Sequence, residues 1–196
     1  MKMNPSRKIV ALCALLWAVL GSASPAQEIV SYPEDKYPVG TTFVFRDDFG
    51  GTEWLDDVVL VERQPDRIRF EVTGRPPAEP NMHSVIVNGE GNVMEVVYAS
   101  GRKVTYRPHN CSRVIGECEY MLSRNDGAPE RRRSRAVMSG GVREGMLFDD
   151  RGFIMVESRI TFDADWVAVR MVRRQPNTTD PRWSVRELVE VIPPKP

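Results

Sequence analysis

The amino-acid sequence predicts a mainly β fold. It reads as a single antiparallel β-meander of about eleven strands, curled into a strongly curved sheet, half-barrel or barrel, with at most one short helix near the C-terminus. Three observations predict it. Apolar residues recur with a period of two rather than 3.6. Turn residues separate the apolar runs at hairpin spacing. Helix start and stop signals are sparse after the first two dozen residues.

The N-terminus is the exception to the period of two. Lys2, Arg7 and Lys8 precede an unbroken apolar run from Ile9 to Leu20, and Gly21 to Ala26 are small residues or proline. Basic head, short apolar centre and small-residue tail are the order of a secretory signal. Residues 1–26 are therefore expected to be a signal peptide, cut after Ala26 or, on nearly the same grounds, after Ala23. The apolar run has 12 residues, whereas spanning a bilayer takes about 20. A lipid anchor would need a small residue directly before a cysteine, and Leu12 precedes Cys13. The expected product is one exported β domain, 27–196, periplasmic or extracellular, with no transmembrane segment after cleavage.

The strands follow in order: 41–46, 54–63, 67–73, 83–88, 92–99, 102–107, 117–123, 132–138, 145–149, 152–162 and 166–174. In Arg67–Val72 the apolar Ile68, Phe70 and Val72 alternate with charges. Val104 and Tyr106 alternate with Lys103, Thr105 and Arg107, and Cys118, Tyr120 and Leu122 with Glu117, Glu119 and Met121. Ile160 and Phe162 repeat the pattern, and Val167, Val169 and Met171 share a face. Such alternation puts one face on a core and the other in water. Asn88–Asn92, Ser100-Gly101, Asn125-Asp126-Gly127, Ser139-Gly140-Gly141, Asp149–Gly152 and Asp163-Ala164-Asp165 divide the runs with residues that tolerate positive φ.

The last segment reads two ways. Asp180 and Pro181 form a helix start, and Val185, Leu188, Val189 and Ile192 fit one helical face. Trp183, Val185, Val189 and Val191 equally fit a strand over 181–192. The proline-rich end, Pro193 to Pro196, is a stiff tail, and Arg75–Pro80 is a loop.

Charge is unevenly spread. Residues 27–100 carry 6 basic and 14 acidic side chains, and residues 101–196 carry 18 and 13. Strands of the two halves are expected to pair and neutralise each other. Cys111 and Cys118 are the two cysteines after the signal, and in an exported chain they read as a disulfide. Closing so small a loop stabilises by about 2.5 kcal/mol.

No catalytic or cofactor-binding motif is present. His83, His109, Cys111 and Cys118 are the soft metal ligands, but they lack the paired spacing of a zinc site. Acids cluster at Asp47-Asp48, Asp56-Asp57, Asp149-Asp150 and Asp163–Asp165. Paired carboxylates can hydrolyse sugars, but acids beside glycine at strand ends more often make turns. Arg131, Arg132, Arg133 and Arg135 form the one charge run, a candidate anion-binding surface or else an edge guarded against pairing. No aromatics interleave with it, which argues against nucleic acid. The leading expectation is an exported non-enzymatic protein that binds an apolar or amphipathic ligand, or another envelope component, in the concavity of its sheet. A structural or protein-interaction module of the envelope is the alternative, and a carboxylate-based hydrolase the second.

Overall fold

The computed structural model describes residues 28–29, 36–75, 81–176 and 183–195. The expected signal, the proline-rich loop at 76–80 and the helix start at Asp180-Pro181 lie outside the described residues. Thirteen strands are present among the described residues. They are β1 (Glu28–Ile29), β2 (Thr42–Phe49), β3 (Thr52–Gln64), β4 (Arg67–Gly74), β5 (Met82–Val87), β6 (Val93–Tyr98) and β7 (Lys103–Arg107). Then come β8 (Val114–Arg124), β9 (Glu130–Ser139), β10 (Val142–Phe148), β11 (Ile154–Phe162), β12 (Ala168–Arg174) and β13 (Trp183–Ile192). No helix occurs among them.

Strands β2 to β13 each pair antiparallel with the next in sequence, and β13 pairs back onto β2. The result is a closed twelve-stranded up-and-down barrel. The short β1 adds to the start of β8, where β7 has already ended. The eleven expected strands correspond to β2 to β12. The ambiguous last segment is strand β13. Its pairing with β2, from Ser184 opposite Phe49 to Ile192 opposite Thr42, satisfies backbone groups that β2 would otherwise leave unpaired at an edge.

The turns take the residues their geometry demands. Gly50-Gly51 and Gly140-Gly141 form two-residue hairpin turns with φ of 62° and 86°, and 55° and 76°. Asn125 and Asp126 also take positive φ, at 48° and 58°, which short polar side chains tolerate. Register shifts at Leu60/Glu62, Leu188/Glu190 and Thr161/Phe162 mark bulges that bend strands toward closure. The bulge at the start of β12 also corrects a face assignment. Ala168 pairs with Phe162 and Arg170 with Thr161, so Met171 points inward on a parity that Val167 and Val169 do not share.

One end of the barrel is packed. Phe43, Leu60, Ile68, Phe70 and Val87 form a buried cluster joined by Tyr37. The rings of Tyr37 and Phe43 meet edge-on at 5.0 Å. The segment between β7 and β8 fills the same end from the other side. Its Cys111 and Val114 are 1% and 2% exposed, so they act as core rather than loop. Arg143, from β10, donates Nε to Val114 O at 3.2 Å and Nη2 to Cys111 O at 3.0 Å. Both guanidine nitrogens of Arg113 donate to Trp166 O at 3.1 Å. Asn92, fully buried, accepts the Arg113 N–H at 2.8 Å. These buried groups of the plug have partners, whereas Nε and Nη2 of Arg63, opposite Ile68 on β4, are buried without one.

Acidic and basic halves do meet at the β13–β2 seam. Arg186 of the basic half lies 3.3 Å from Asp47 and 3.2 Å from Asp56 of the acidic half, and Arg46 and Glu187 pair across the same seam in the opposite sense at 2.9 Å.

Candidate functional site in the barrel lumen

The strand parity that builds the packed end continues toward the opposite end, but the residues change character. On β2, Phe43 and Phe45 face in, and so does Asp47. On β3, Leu60 and Val58 face in, and so does Asp56. On β13, Leu188 is followed inward by Arg186, and on β12 Met171 by Arg173. The cross-strand partners Val58–Phe43, Asp56–Phe45, Trp54–Asp47 and Arg186–Asp47 confirm the shared face. Charged groups therefore stand at positions whose alternation is apolar elsewhere.

Arg186 joins the first three charges. It bridges Asp47 and Asp56 and lies over the Phe45 ring, 4.6 Å from its centroid. The side chains of Asp47 and Asp56 are only 16% and 4% exposed, so neither can be solvated as an exposed carboxylate would be. Burial pushes the Asp47 carboxyl up to about 6 against the pull of Arg186, and the neighbouring Asp56 adds to the rise. Burial also raises Asp56, again opposed by Arg186. The Trp54 indole N–H leans toward Asp56 and eases its ionisation, but it is outside good hydrogen-bond geometry.

Arg173 is different. It sits between Ser158 of β11 and Ser184 of β13. It shares the inward parity of Met171, which pairs with buried Ile160, yet it keeps accessible surface. Those two facts together place its side chain in solvent-accessible space inside the barrel. Enclosure lowers its pKa first, and Arg186 lowers it further, while Tyr106, Tyr98 and Asp47 act the other way. Among the described residues no carboxylate is within ion-pair distance of it. Tyr106 and Tyr120 pack edge-on at 5.8 Å. Burial raises both phenols, that of Tyr120 to about 12, so both are neutral hydrogen-bond donors at physiological pH. The inward side chains of β9 to β13 on the facing wall are mostly small (Ser134, Ala136, Gly145, Ser158, Ser184), and the guanidinium of Arg143 lies over Gly145. One step nearer the open end stand Phe49, Trp54, Leu147 and Val156. Toward that end the inward face is mixed: these four are apolar, Glu130 and Arg132 of β9 are charged and paired with each other, and Val104, Tyr120 and Leu122 of β7 and β8 continue the buried core.

Cys111 and Cys118 are disulfide-bonded with Cα atoms 6.1 Å apart. His109 accepts the Cys111 N–H on Nδ1 at 3.2 Å. Its ligand atoms and the two sulfurs lie within 4.8 Å of one another, but the disulfide ties up both thiolates. His83 is exposed on β5, apart from this group.

Strand β9 splits the arginine run. Arg131, Arg133 and Arg135 point outward, while Arg132 points inward and is 7% exposed. Arg131 pairs with Glu119 at 2.6 Å, and Arg132 pairs with Glu130, which also takes Arg124. Arg135 lines an outer groove of about 680 Å³ across β9 to β13, whose apolar part is Val137, Met146, Phe148, Val172 and Trp183. Arg131 and Arg132 border a second hollow of about 560 Å³ with Met121 and Phe153.

The acid clusters separate in the same way. Asp149 Oδ1 accepts from Arg151 N and Phe153 N, Asp163 Oδ1 from Asp165 N and Val167 N, and Asp48 Oδ1 from Gly51 N. These are turn caps. Only Asp47 and Asp56 converge inside the barrel, and Arg186 holds them as an ion-paired group. Sequence reasoning noted these two acids but missed Arg173 and Arg186; their signal was a charge at an apolar parity. No known protein-family model matches the chain, and no curated protein is significantly similar to it in sequence.

Proposed function

We propose that this chain is an exported, non-enzymatic binding protein that carries an amphipathic small molecule inside its barrel. The observation that carries the reading is a set of inward charges beyond the packed end, one of them accessible. A plug held by Arg143, Arg113 and Asn92 fills one end, Arg173 beyond it faces in yet keeps accessible surface, and Phe49, Trp54, Leu147 and Val156 stand nearer the other end. Ligand sites combine apolar walls with a few convergent polar groups in this way. The outward faces support a barrel standing in water: Arg69, Glu71, Arg133, Glu144, Arg159 and Arg170 point away from the lumen. A lipid-facing band would carry a heavy cost for such charges. Export is read from the basic, apolar and small-residue order of residues 1–26.

Native mass spectrometry of the protein purified without detergent from its own host tests the reading. The expected result is a chain beginning after Ala23 or Ala26, with a small amphipathic molecule retained. A protein found intact with its leader in the cytosol would overturn export. Failure of every amphiphile offered to bind the purified chain would overturn the carrier.

The outer groove favours a second reading, an envelope interaction module. Val137 and Trp183 are 58% and 51% exposed there, more than isolated surface apolar residues require. Charge reversal at Arg135 that left every pull-down partner in place would count against it.

A further inference from the structure

We propose that the guest of the lumen is an anion, and that Arg173 is the residue that binds its acid head, with the hydroxyls of Tyr106 and Tyr98 as supporting donors. This rests on the lumen-binding reading above. Most inward arginines of β9, β10, β12 and β13 already have partners. Arg186 is neutralised twice, by Asp47 at 3.3 Å and Asp56 at 3.2 Å. Both of those carboxylates are withdrawn from solvent, so neither presents itself to a guest. Arg132 is taken by Glu130, and Arg143 is spent on two plug carbonyls. Arg173 alone of the inward arginines on β9, β10, β12 and β13 is both accessible and without an ion-pair partner among the described residues.

Its surroundings are built for an acid rather than a neutral polar group. Ser158 and Ser184 flank it across the strands, and tyrosines stand within electrostatic range on the facing wall. An enclosed guanidinium is costly unless paired, and its fork of donors matches a carboxylate or phosphate oxygen pair. Phe49, Trp54, Leu147 and Val156, nearer the open end, then cover the start of the tail. The recognised chemistry is thus a single acid head on an alkyl or aromatic body. A carboxylate and a phosphate monoester are the two sources of that head.

Four probes of one chain length decide it by calorimetry on the full protein: dodecanoate, dodecyl phosphate, dodecanol and dodecyltrimethylammonium. Both anions are expected to bind, at least about tenfold more tightly than dodecanol, the worth of a charge-assisted contact. The tighter of the two anions identifies the head. R173Q is expected to remove that advantage while leaving dodecanol unchanged, and R173K to keep part of it. Equal binding of the anions and dodecanol in the wild-type chain would overturn the inference while leaving the carrier in place. Preference for the ammonium probe would assign the head to Asp47 and Asp56 and overturn it equally. Binding of none of the four would remove the carrier itself. The wild-type series decides the matter even if R173Q does not fold.

Discussion

Replacing Asp47 by asparagine is expected to stabilise the protein at neutral and alkaline pH. The carboxyl lies between Arg186 and Asp56 with its side chain 16% exposed. Burial there outweighs the attraction of Arg186, which is why the group titrates near 6 rather than at its ordinary 3.8. The folded state holds this proton more tightly than the unfolded chain does. The stability it confers is complete below about pH 3.8 and lost as pH rises through about 6. The full difference is worth about 3 kcal/mol, and about half of it has already gone at pH 5. Asparagine is neutral throughout and keeps the shape, and Asp56 still pairs with Arg186. D47N should therefore exceed the wild type by up to about 3 kcal/mol at pH 8, with the gap narrowing by half at pH 5. Urea unfolding of both chains at pH 5, 6, 7 and 8 measures this. The difference between them cancels the contribution of His109, whose pKa burial lowers and whose effect on stability runs in the opposite direction. A D47N chain less stable than wild type at pH 8, or a gap indifferent to pH, would refute the claim that desolvation dominates at this site.

Two further substitutions test the packed end. The C111A/C118A double variant should lose about 2.5 kcal/mol, seen as a lower urea midpoint with little change in slope; an unchanged midpoint would mean that Arg143 and Arg113 hold the plug without the disulfide. L60A removes a side chain with no exposed surface at the centre of the Phe43 cluster. It should cost about 2–5 kcal/mol, and a loss below about 1 kcal/mol would show that the surrounding rings collapse into the space.

Much of the strand order was legible because one face of each strand is greasy and the other charged. Ile68, Phe70 and Val72, or Cys118, Tyr120 and Leu122, needed nothing more than counting by two. The last strand was not, because Val185, Leu188, Val189 and Ile192 satisfy the helical and the extended period alike. Its pairing with β2 decides the matter, and that contact joins the first and last strands of the ring. Closure was left open between bent sheet and barrel for the same reason. The disulfide could be read from two cysteines together with the expectation of export. The lumen could not. Asp47 and Asp48, or Asp56 and Asp57, are neighbours in sequence, and only the register shows that the first of each pair faces in while the second serves a turn or pairs with Arg75. Arg173 follows Met171 by two, a charge where an apolar residue was due, and a strand read for its core passes over it.

Around the ring, the seam between β2 and β13 is the one place among the described residues where strands distant in sequence must find each other. Every other pairing around the ring forms between consecutive strands, within reach of a local turn. Until Ile192 lies beside Thr42, a partly assembled ring has two raw borders, β2 on one side and the growing chain on the other. Each is a template for a stray neighbour's backbone. The final ten-residue strand is therefore the clasp of a bracelet: it adds little new surface, yet it converts an open ribbon that invites aggregation into a hoop with no ends to offer.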